Sequence, residues 1–394
     1  MANTLDHLPL LPLFVDYRNY VREQDEFGIY HALRLHGRIR RIKLSLPPSI
    51  LHKALALMDH NFLILEHLYL SCSPSADHGH RLPLTLPKGF LAPNLHHLIL
   101  VDVGLSKRLR VLTSTVSLVT LELSIIQTSN YFRPRLLVAR LRSLPLLEEL
   151  TIGFSIPIPH PGTERELLGE ERAPIILPSL KILRFYGGGD YLDSLVAQIR
   201  VPLLEQLYTT LFNQIAFVLP NVFYLINNTK VFKLPRATVS FRHNEVCVYT
   251  VHYHILGQIH FSLCVRCKPL DRQIDCAAQI CDALIPTLSS VEELSLYCPV
   301  HQAVGYLRLE TPTEMWNGAI DSAMWCNLLR GFIGVKDLYI EDPLSEELSR
   351  ALQVDEVGLD QEFLPNLRSI RARRNLFTSF IDARRVVGRP VVYP

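Results

Sequence analysis

LEHLYL, residues 65–70, is the stretch on which the fold is decided. Its first, fourth and sixth residues are leucines, with Glu66, His67 and Tyr69 between them. Positions four and six alternate with polar or amphipathic neighbours, so the hexad centres on a short strand with one buried face. Leu65 stands three residues earlier, where a side chain can plug the corner that leads into the strand. The pattern recurs as IRRIKL (39–44), LHHLIL (95–100), LVTLEL (118–123), LEELTI (147–152), LKILRF (180–185), VEELSL (291–296) and VKDLYI (335–340). LEQLYT (204–209) and LRSIRA (367–372) keep it but end on Thr209 and Ala372.

Consecutive copies from 39 to 204 start 23 to 33 residues apart, which leaves room for one strand, a turn, a short helix and a return. The connecting segments carry helical spacing. Leu51, Ala54, Leu55 and Met58 fall at i, i+3, i+4, i+7, as do Leu192, Leu195, Val196 and Ile199. Ile274, Ala277, Ala278 and Cys281 do the same, and so do Trp316, Ala319, Ile320 and Ala323. Such narrow stripes suit helices resting on one side of a sheet. Pro93, Pro145, Pro178, Pro202, Pro286 and Pro365 lie shortly before hexads, where proline fixes a turn without removing a ladder hydrogen bond.

Strand-then-helix segments with a leucine signature predict an α/β fold of the leucine-rich-repeat kind. It is an irregular right-handed solenoid with parallel strands on the concave face and helices on the convex face. A solenoid also accommodates 394 residues, more than the roughly 250–300 at which a single globular core stops growing. The asparagine or cysteine that usually follows the hexad is missing, so the repeats are expected to vary in length and curvature. From 204 to 291 the spacing widens to 87 residues. TVSFRH (238–243), VCVYTV (246–251), IHFSLCV (259–265) and VFYLIN (222–227) are expected to supply degenerate repeats there. The expected organisation is a capping segment at 1–38, repeats over 39–372 that degenerate at about 222–270, and a closing cap at 373–394.

Composition narrows the class. Hydrophobic residues make up 48% and charged ones 20%, ordinary for a folded chain, which excludes disorder over most of the length. A net charge of +2 offers no concentrated cation for nucleic acid. MANTLDHLPLLPLF lacks the basic start and unbroken apolar run of a secretory signal, and no stretch approaches the ~18–20 apolar residues of a membrane span. Eight cysteines without a signal point to reduced thiols and a cytoplasmic or nuclear location.

Several stretches resemble sites and are not read as such. LRFYGGGDYLDSL (183–195) has three glycines between a strand and a helix. It has no lysine for a P-loop, and the third glycine of a dinucleotide fingerprint would fall on Leu192. Asp190 is expected to cap the helix, which leaves Gly187, Gly188 and Gly189 as a flexible connector. Cys264 and Cys267 form a C-x-x-C pair, with Cys276 and Cys281 following. On a helix the latter two stand about 140° apart, so zinc is not expected and the cysteines read as small buried hydrophobes. His252, His254 and His260 lack the context of a known catalytic motif. Asn227-Asn228-Thr229 matches a glycosylation acceptor that an intracellular chain would not use. Arg368, Arg371, Arg373 and Arg374, followed by Arg384, Arg385 and Arg389, suit either arginine forks for an acidic group or a polar end cap.

Strand alternation also assigns the opposite face. Lys43, His67, Tyr69, His97, Glu122, Arg184, Tyr208, Tyr339, Arg371 and Arg373 are expected to line the concave sheet, with Tyr186 and Tyr297 two residues further along their strands. Tyrosine and arginine bury large areas at binding hot spots. About a dozen strands at ~4.8 Å spacing would make an arc of roughly 55 Å, suited to a protein partner. No catalytic residue, cofactor or metal is expected, and neither nucleic acid nor membrane.

IYHALRLHGRIRRIKLSLPPSILHKALALMDHNFLILEHLYLSC (29–72) resembles the region downstream of the F-box in fungal F-box proteins, especially the mushroom-type expansions. LPSLKILRFYGG and LSSVEELSLYC resemble their later repeats, and FTSFIDARRVVGRPV (377–391) their closing segment. The resemblance spans nearly the whole chain. It implies that the repeats hold a protein substrate, while an N-terminal F-box binds the Skp1 adaptor of a cullin ubiquitin ligase. LDHLPLLPLFVDYRNY contains no LPxELLxxIF-type helix, so Skp1 and cullin are expected partners only if an F-box precedes Met1. The expected function is substrate recognition for a ubiquitin ligase. The alternatives are a leucine-rich-repeat scaffold unrelated to ubiquitin and, more remotely, an α/β enzyme whose strands mimic repeats.

Overall fold

The computed structural model describes residues 11–18, 23–73, 84–105, 111–155, 173–212, 217–251, 259–267, 270–298, 322–353, 364–372 and 376–393. The chain divides into two units, Met1–Leu204 and Glu205–Pro394. Each is mixed α/β with a mostly parallel sheet.

In the first unit the elements run β1 (Leu13–Arg18), α1 (Glu23–Arg34), β2 (Ile39–Leu46), α2 (Pro48–Ala56), β3 (His67–Cys72), β4 (His97–Val101), α3 (Val111–Ser114), β5 (Thr120–Ile126), α4 (Pro134–Leu141), β6 (Glu149–Phe154), β7 (Ile175–Ile176), β8 (Ile182–Gly187), α5 (Gly189–Ala197) and β9 (Ile199–Arg200). β1 to β6 and then β8 pair side by side in chain order, every pair parallel. β7 and β9 form a separate small pair. The segment expected only to cap the repeats thus adds a strand, β1, alongside the first hexad. One irregularity falls in β5, where Ile125 has φ of 56° and the register with β6 shifts.

The second unit runs β10 (Gln206–Phe212), α6 (Pro220–Asn228), β11 (Arg236–Arg242), β12 (Glu245–Val251), β13 (Ile259–Arg266), α7 (Leu270–Ala283), α8 (Ile285–Leu288), β14 (Glu293–Tyr297), α9 (Ser322–Arg330), β15 (Asp337–Ile340), α10 (Asp342–Gln353), β16 (Ser369–Arg371) and α11 (Thr378–Val386). Its sheet order is β10-β13-β12-β11-β14-β15-β16. β12 runs antiparallel to both neighbours, whereas the other pairs are parallel. The 87-residue gap between hexads is therefore filled by a three-stranded meander rather than by three further parallel repeats. VFYLIN is helical within α6, where Pro220 starts the helix. No helix among the described residues is long and apolar enough to cross a membrane.

All ten hexads enter strands, and their apolar positions build the core. The first-position residues Ile39, Leu65, Leu95, Leu118, Leu147, Leu180, Leu204, Val291, Val335 and Leu367 are all buried, as are the fourth-position residues from Ile42 to Ile370. Each such side chain stabilises its repeat by roughly 1.5–3 kcal/mol. Thr209 takes the sixth position in β10 and is buried like the leucines it replaces. Three of the four predicted stripes are buried throughout, although Met58 follows the end of α2 and Ile199 belongs to strand β9 rather than to α5. Trp316, Ala319 and Ile320 lie outside the described residues, and Ala323 is exposed on α9. On α7 the buried surface is wider than one stripe and includes Cys276, because the helix packs against β11, β12 and α9.

Turns before the strands fasten neighbouring repeats. Asn94 donates its Nδ2–H to the Leu63 carbonyl at 2.7 Å, the Ser179 hydroxyl donates to the Pro145 carbonyl at 2.9 Å, and Asn366 donates to the Ile333 carbonyl at 2.9 Å. Each bond runs from the residue just before a hexad to the equivalent turn one repeat earlier. The asparagine that is missing after the hexad is thus answered by side chains ahead of it. Pro93, Pro145, Pro178, Pro202 and Pro365 sit in these turns, but Pro286 lies in the first turn of α8 instead.

In the turn before β15 the approach is closer still. A Cβ on Gly334 would stand 2.5 Å from the Ser289 carbonyl oxygen and 2.9 Å from that of Val291. Gly334→Ala is expected to cost about 1–3 kcal/mol, the usual range for overpacking. Gly37→Ala, where nothing lies within 4 Å, should stay within about 0.5 kcal/mol. Urea titration of the two variants checks the difference.

Candidate binding face

On each sheet the side chains that alternate with the core leucines form rows across the strands. In the first unit Lys43, Tyr69, Ile99, Glu122, Thr151 and Arg184 stand opposite one another from β2 to β8. One step along the strands, Arg41, His67, His97, Thr120 and Glu149 form a parallel row. Tyr186 lies two residues beyond Arg184, opposite Gly153. The expected residues Lys43, His67, Tyr69, His97, Glu122, Arg184 and Tyr186 therefore share one face.

In the second unit Tyr208, Ser262, Tyr249, Thr238, Ser295, Tyr339 and Arg371 fill one row. Tyr297 lies opposite Ser240. Tyr186, Tyr297 and Tyr339 are 37%, 38% and 46% exposed, enough to offer a ring face to a partner. Tyr208 is more constrained, because its hydroxyl donates to the Ile259 carbonyl at 2.8 Å. Arg371 is exposed beside buried Ile370, as alternation requires. Arg373 and Arg374 lie outside the described residues. Arg384 departs from the expected basic cluster. It is buried, its guanidinium donates to the Pro365 carbonyl at 3.3 Å, and it lies 5.8 Å from the Phe380 ring centroid. It holds α11 against the preceding turn.

Charges on the faces pair mainly between adjacent repeats. Arg184 meets Glu149 at 3.3 Å in the first unit, and Arg236 meets Glu293 at 2.7 Å in the second. Beside these rows, Arg40 meets Glu66 at 2.8 Å, Lys181 meets Glu148 at 3.0 Å, and Lys336 meets Glu292 at 2.6 Å. The Arg40 hydrogen bond holds the Glu66 carboxyl below its ordinary range. Exposed pairs of this kind contribute little stability individually, but their regular placement favours one register over slipped ones.

Two aromatic contacts stand out on the first face. The imidazoles of His67 and His97 stack with centroids 4.5 Å apart and planes 6° from parallel, and His97 Nδ1 lies 3.1 Å from the Thr120 hydroxyl. The Lys43 ammonium sits 5.1 Å from the Tyr69 ring centroid, a cation–π arrangement. Partial burial lowers the pKa of both histidines, with His97 and Arg41 adding to the effect on His67 and His96 to that on His97.

In the glycine stretch it is Gly187 that has a packing role, whereas nothing lies within 4 Å of a Cβ placed on Gly188. A Cβ on Gly187 would stand 2.9 Å from the rings of Phe154 and Phe185, so glycine lets these aromatics close over the end of β8. Gly188 is the N-cap of α5, and Asp190 falls inside the first turn instead of capping it. Its negative charge still suits the positive end of the helix.

The cysteines also depart from expectation. Cys247 and Cys264 face each other across β12 and β13 and form a disulfide, so the reading of uniformly reduced thiols fails at these two. Cys267 pairs instead with Cys276, whose thiol hydrogen bond lowers the Cys267 pKa and raises that of Cys276. Among the described residues no three of His, Cys, Asp and Glu converge to hold a metal. His252 and His254 lie outside the described residues, while His260 places Nδ1 3.2 Å from the Glu205 carbonyl. Asn227 is engaged at both ends of its amide, donating to the Ala283 carbonyl at 3.0 Å and accepting from the Thr287 hydroxyl at 2.7 Å.

Arg41 and Tyr249 are the largest of the face residues that the sequence reading left unassigned, alongside smaller or apolar ones such as Ile99, Thr151 and Ser295 and the carboxylate of Glu149. Arg41 shares the strand parity of Lys43 in IRRIKL, a signal already present in the pattern. Tyr249 depends on the reversed strand, which no hexad announces. The chain matches no protein-family model, and the search of curated proteins finds no match either.

Proposed function

We propose that the chain is a non-enzymatic protein-recognition solenoid of the leucine-rich-repeat type. Its repeats would hold a substrate for a ubiquitin ligase, as the resemblance to fungal F-box proteins implies. On this reading the half-exposed sheet faces form the concave surface, the tyrosines act as anchors, and the charged residues orient the partner. The observation that supports it most is the in-register placement of tyrosines, histidines and charges across successive strands. Rows spread over many strands suit an extended contact better than a single reaction centre.

The test uses the full chain expressed with a tag, with partners identified by cross-linking and mass spectrometry. Tyr69→Ala combined with Tyr339→Ala is expected to weaken the recovered complex tenfold or more, as roughly 2 kcal/mol hot spots would, without changing the melting temperature. An unchanged affinity would overturn the proposed face. Skp1 bound through residues 1–38 would overturn the expectation that this segment lacks an adaptor-binding helix.

A further inference from the structure

We propose that the part of the first unit's face formed by β2, β3 and β4 binds an acidic, extended polypeptide segment and takes up protons on His67 and His97 as it does so. The inference rests on the protein-recognition reading and adds the chemistry of the partner.

Charge bookkeeping on the face points to it. Asp16 is paired with Arg18 at 3.1 Å, Glu149 with Arg184 at 3.3 Å, and Glu122 accepts from the Ser124 hydroxyl at 2.8 Å. Arg41 and Lys43, neighbours on β2, have no carboxylate in ion-pair contact among the described residues. Lys43 instead rests against Tyr69. Arg41 stands directly opposite His67, and His67 opposite His97. The result is a patch of two unpaired cations and two stacked imidazoles with a tyrosine beside them. The row from Arg41 to His97 spans about 10 Å at the strand spacing of ~4.8 Å, which about three residues of an extended chain would cover. Two carboxylates on alternate residues would then reach both ends.

The stacked imidazoles link such binding to pH. With ring centroids 4.5 Å apart and Arg41 opposite one of them, the pair resists protonation in the unbound protein. The surrounding groups are Arg40, Arg41 and Lys43 from β2 and its approach, Glu66 and Tyr69 beside His67, His96 beside His97, Glu122 from β5 and Glu149 from β6. The nearby carboxylates are engaged, Glu66 by Arg40 and Glu149 by Arg184. A carboxylate from a partner would be a new negative charge over the rings and would raise their proton affinity. Binding would then take up protons, so affinity must rise as pH falls through the range between the unbound and bound imidazole values.

Fluorescence anisotropy with a labelled peptide of alternating glutamate and serine, added to the full chain, tests this. The expected result is a Kd that falls about tenfold from pH ~7 to ~6, as uptake of about one proton requires. His67→Gln with His97→Gln should bind more weakly and lose the pH slope. Arg41→Gln with Lys43→Gln should lose binding at both pH values. Thermal melts confirm that both double variants are folded. An unchanged slope in the histidine variant would overturn the proposal. So would equal affinity for a glutamine–serine peptide, or equal affinity for a single-stranded oligonucleotide of matched charge. Failure here with cross-linked partners still lost in the Tyr69→Ala/Tyr339→Ala variant would overturn the acidic partner alone and leave the recognition reading standing.

Discussion

Trp325→Ala is expected to lower the unfolding free energy of the second unit by about 3–5 kcal/mol, the range for truncating a large buried aromatic. Trp325 is fully buried on α9 and meets Phe241 of β11 edge-on, with centroids 5.8 Å apart. α9 also packs against α7 and α10, so the cavity would open where three helices and the sheet meet. A close-packed interior relaxes only partly around such a void. Its indole Nε1 is buried without a partner among the described residues. Trp325→Phe therefore removes a desolvated donor along with some volume, and should cost clearly less than alanine. Urea unfolding of both variants checks the order. Similar losses for Phe and Ala would show that the indole's polar edge matters more than its volume.

Opening the Cys247–Cys264 disulfide is expected to cost about 3 kcal/mol, the entropic value for closing a loop of this size. The two residues are 17 apart in sequence and oppose each other in the antiparallel pair. The bond limits the unfolded chain chiefly through the connection between β12 and β13. Adding a reductant should lower the urea midpoint of the wild-type protein. The Cys247→Ala/Cys264→Ala variant should match the reduced protein and no longer respond to reductant. Thiol titration in denaturant should find six reactive groups before reduction, those of Cys72, Cys267, Cys276, Cys281, Cys298 and Cys326. Eight groups in the untreated protein would show that the bond had not formed.

Much of the fold is visible in the leucine hexads because each carries its own local instruction. Leu65, Leu68 and Leu70 specify a corner and one face of a strand without reference to the rest of the chain. The side-by-side order of β2 to β6 and β8 follows from repetition of that instruction at similar spacing, whereas β1 carries no hexad and β7 pairs elsewhere. The face residues Lys43, Tyr69, Glu122 and Arg184 follow from the same parity, so their common row could be read as well.

The unread parts depend on relations between distant segments. VFYLIN has strand-like composition, but Pro220 and the need to connect β10 with β11 make it a helix. β12 is reversed because a two-residue turn at His243–Asn244 sends VCVYTV back along TVSFRH. Only that reversal brings Cys247 to Cys264, and their sequence spacing alone gives no sign of it. The stacking of His67 on His97 likewise requires the register between β3 and β4. Each histidine taken singly looks like an ordinary surface residue.

The backward-reaching bonds of Asn94, Ser179 and Asn366 have a consequence for how such a chain can change. Each fastening needs only the carbonyl supplied by its predecessor, whatever that predecessor's loop length. Whole repeats can therefore be inserted or deleted at these joints while every hook still finds an eye. The reversed strand breaks this modularity, since β12 depends on β11 and β13 for both of its edges. Length variation in descendants of this chain should accumulate on either side of the meander and spare it.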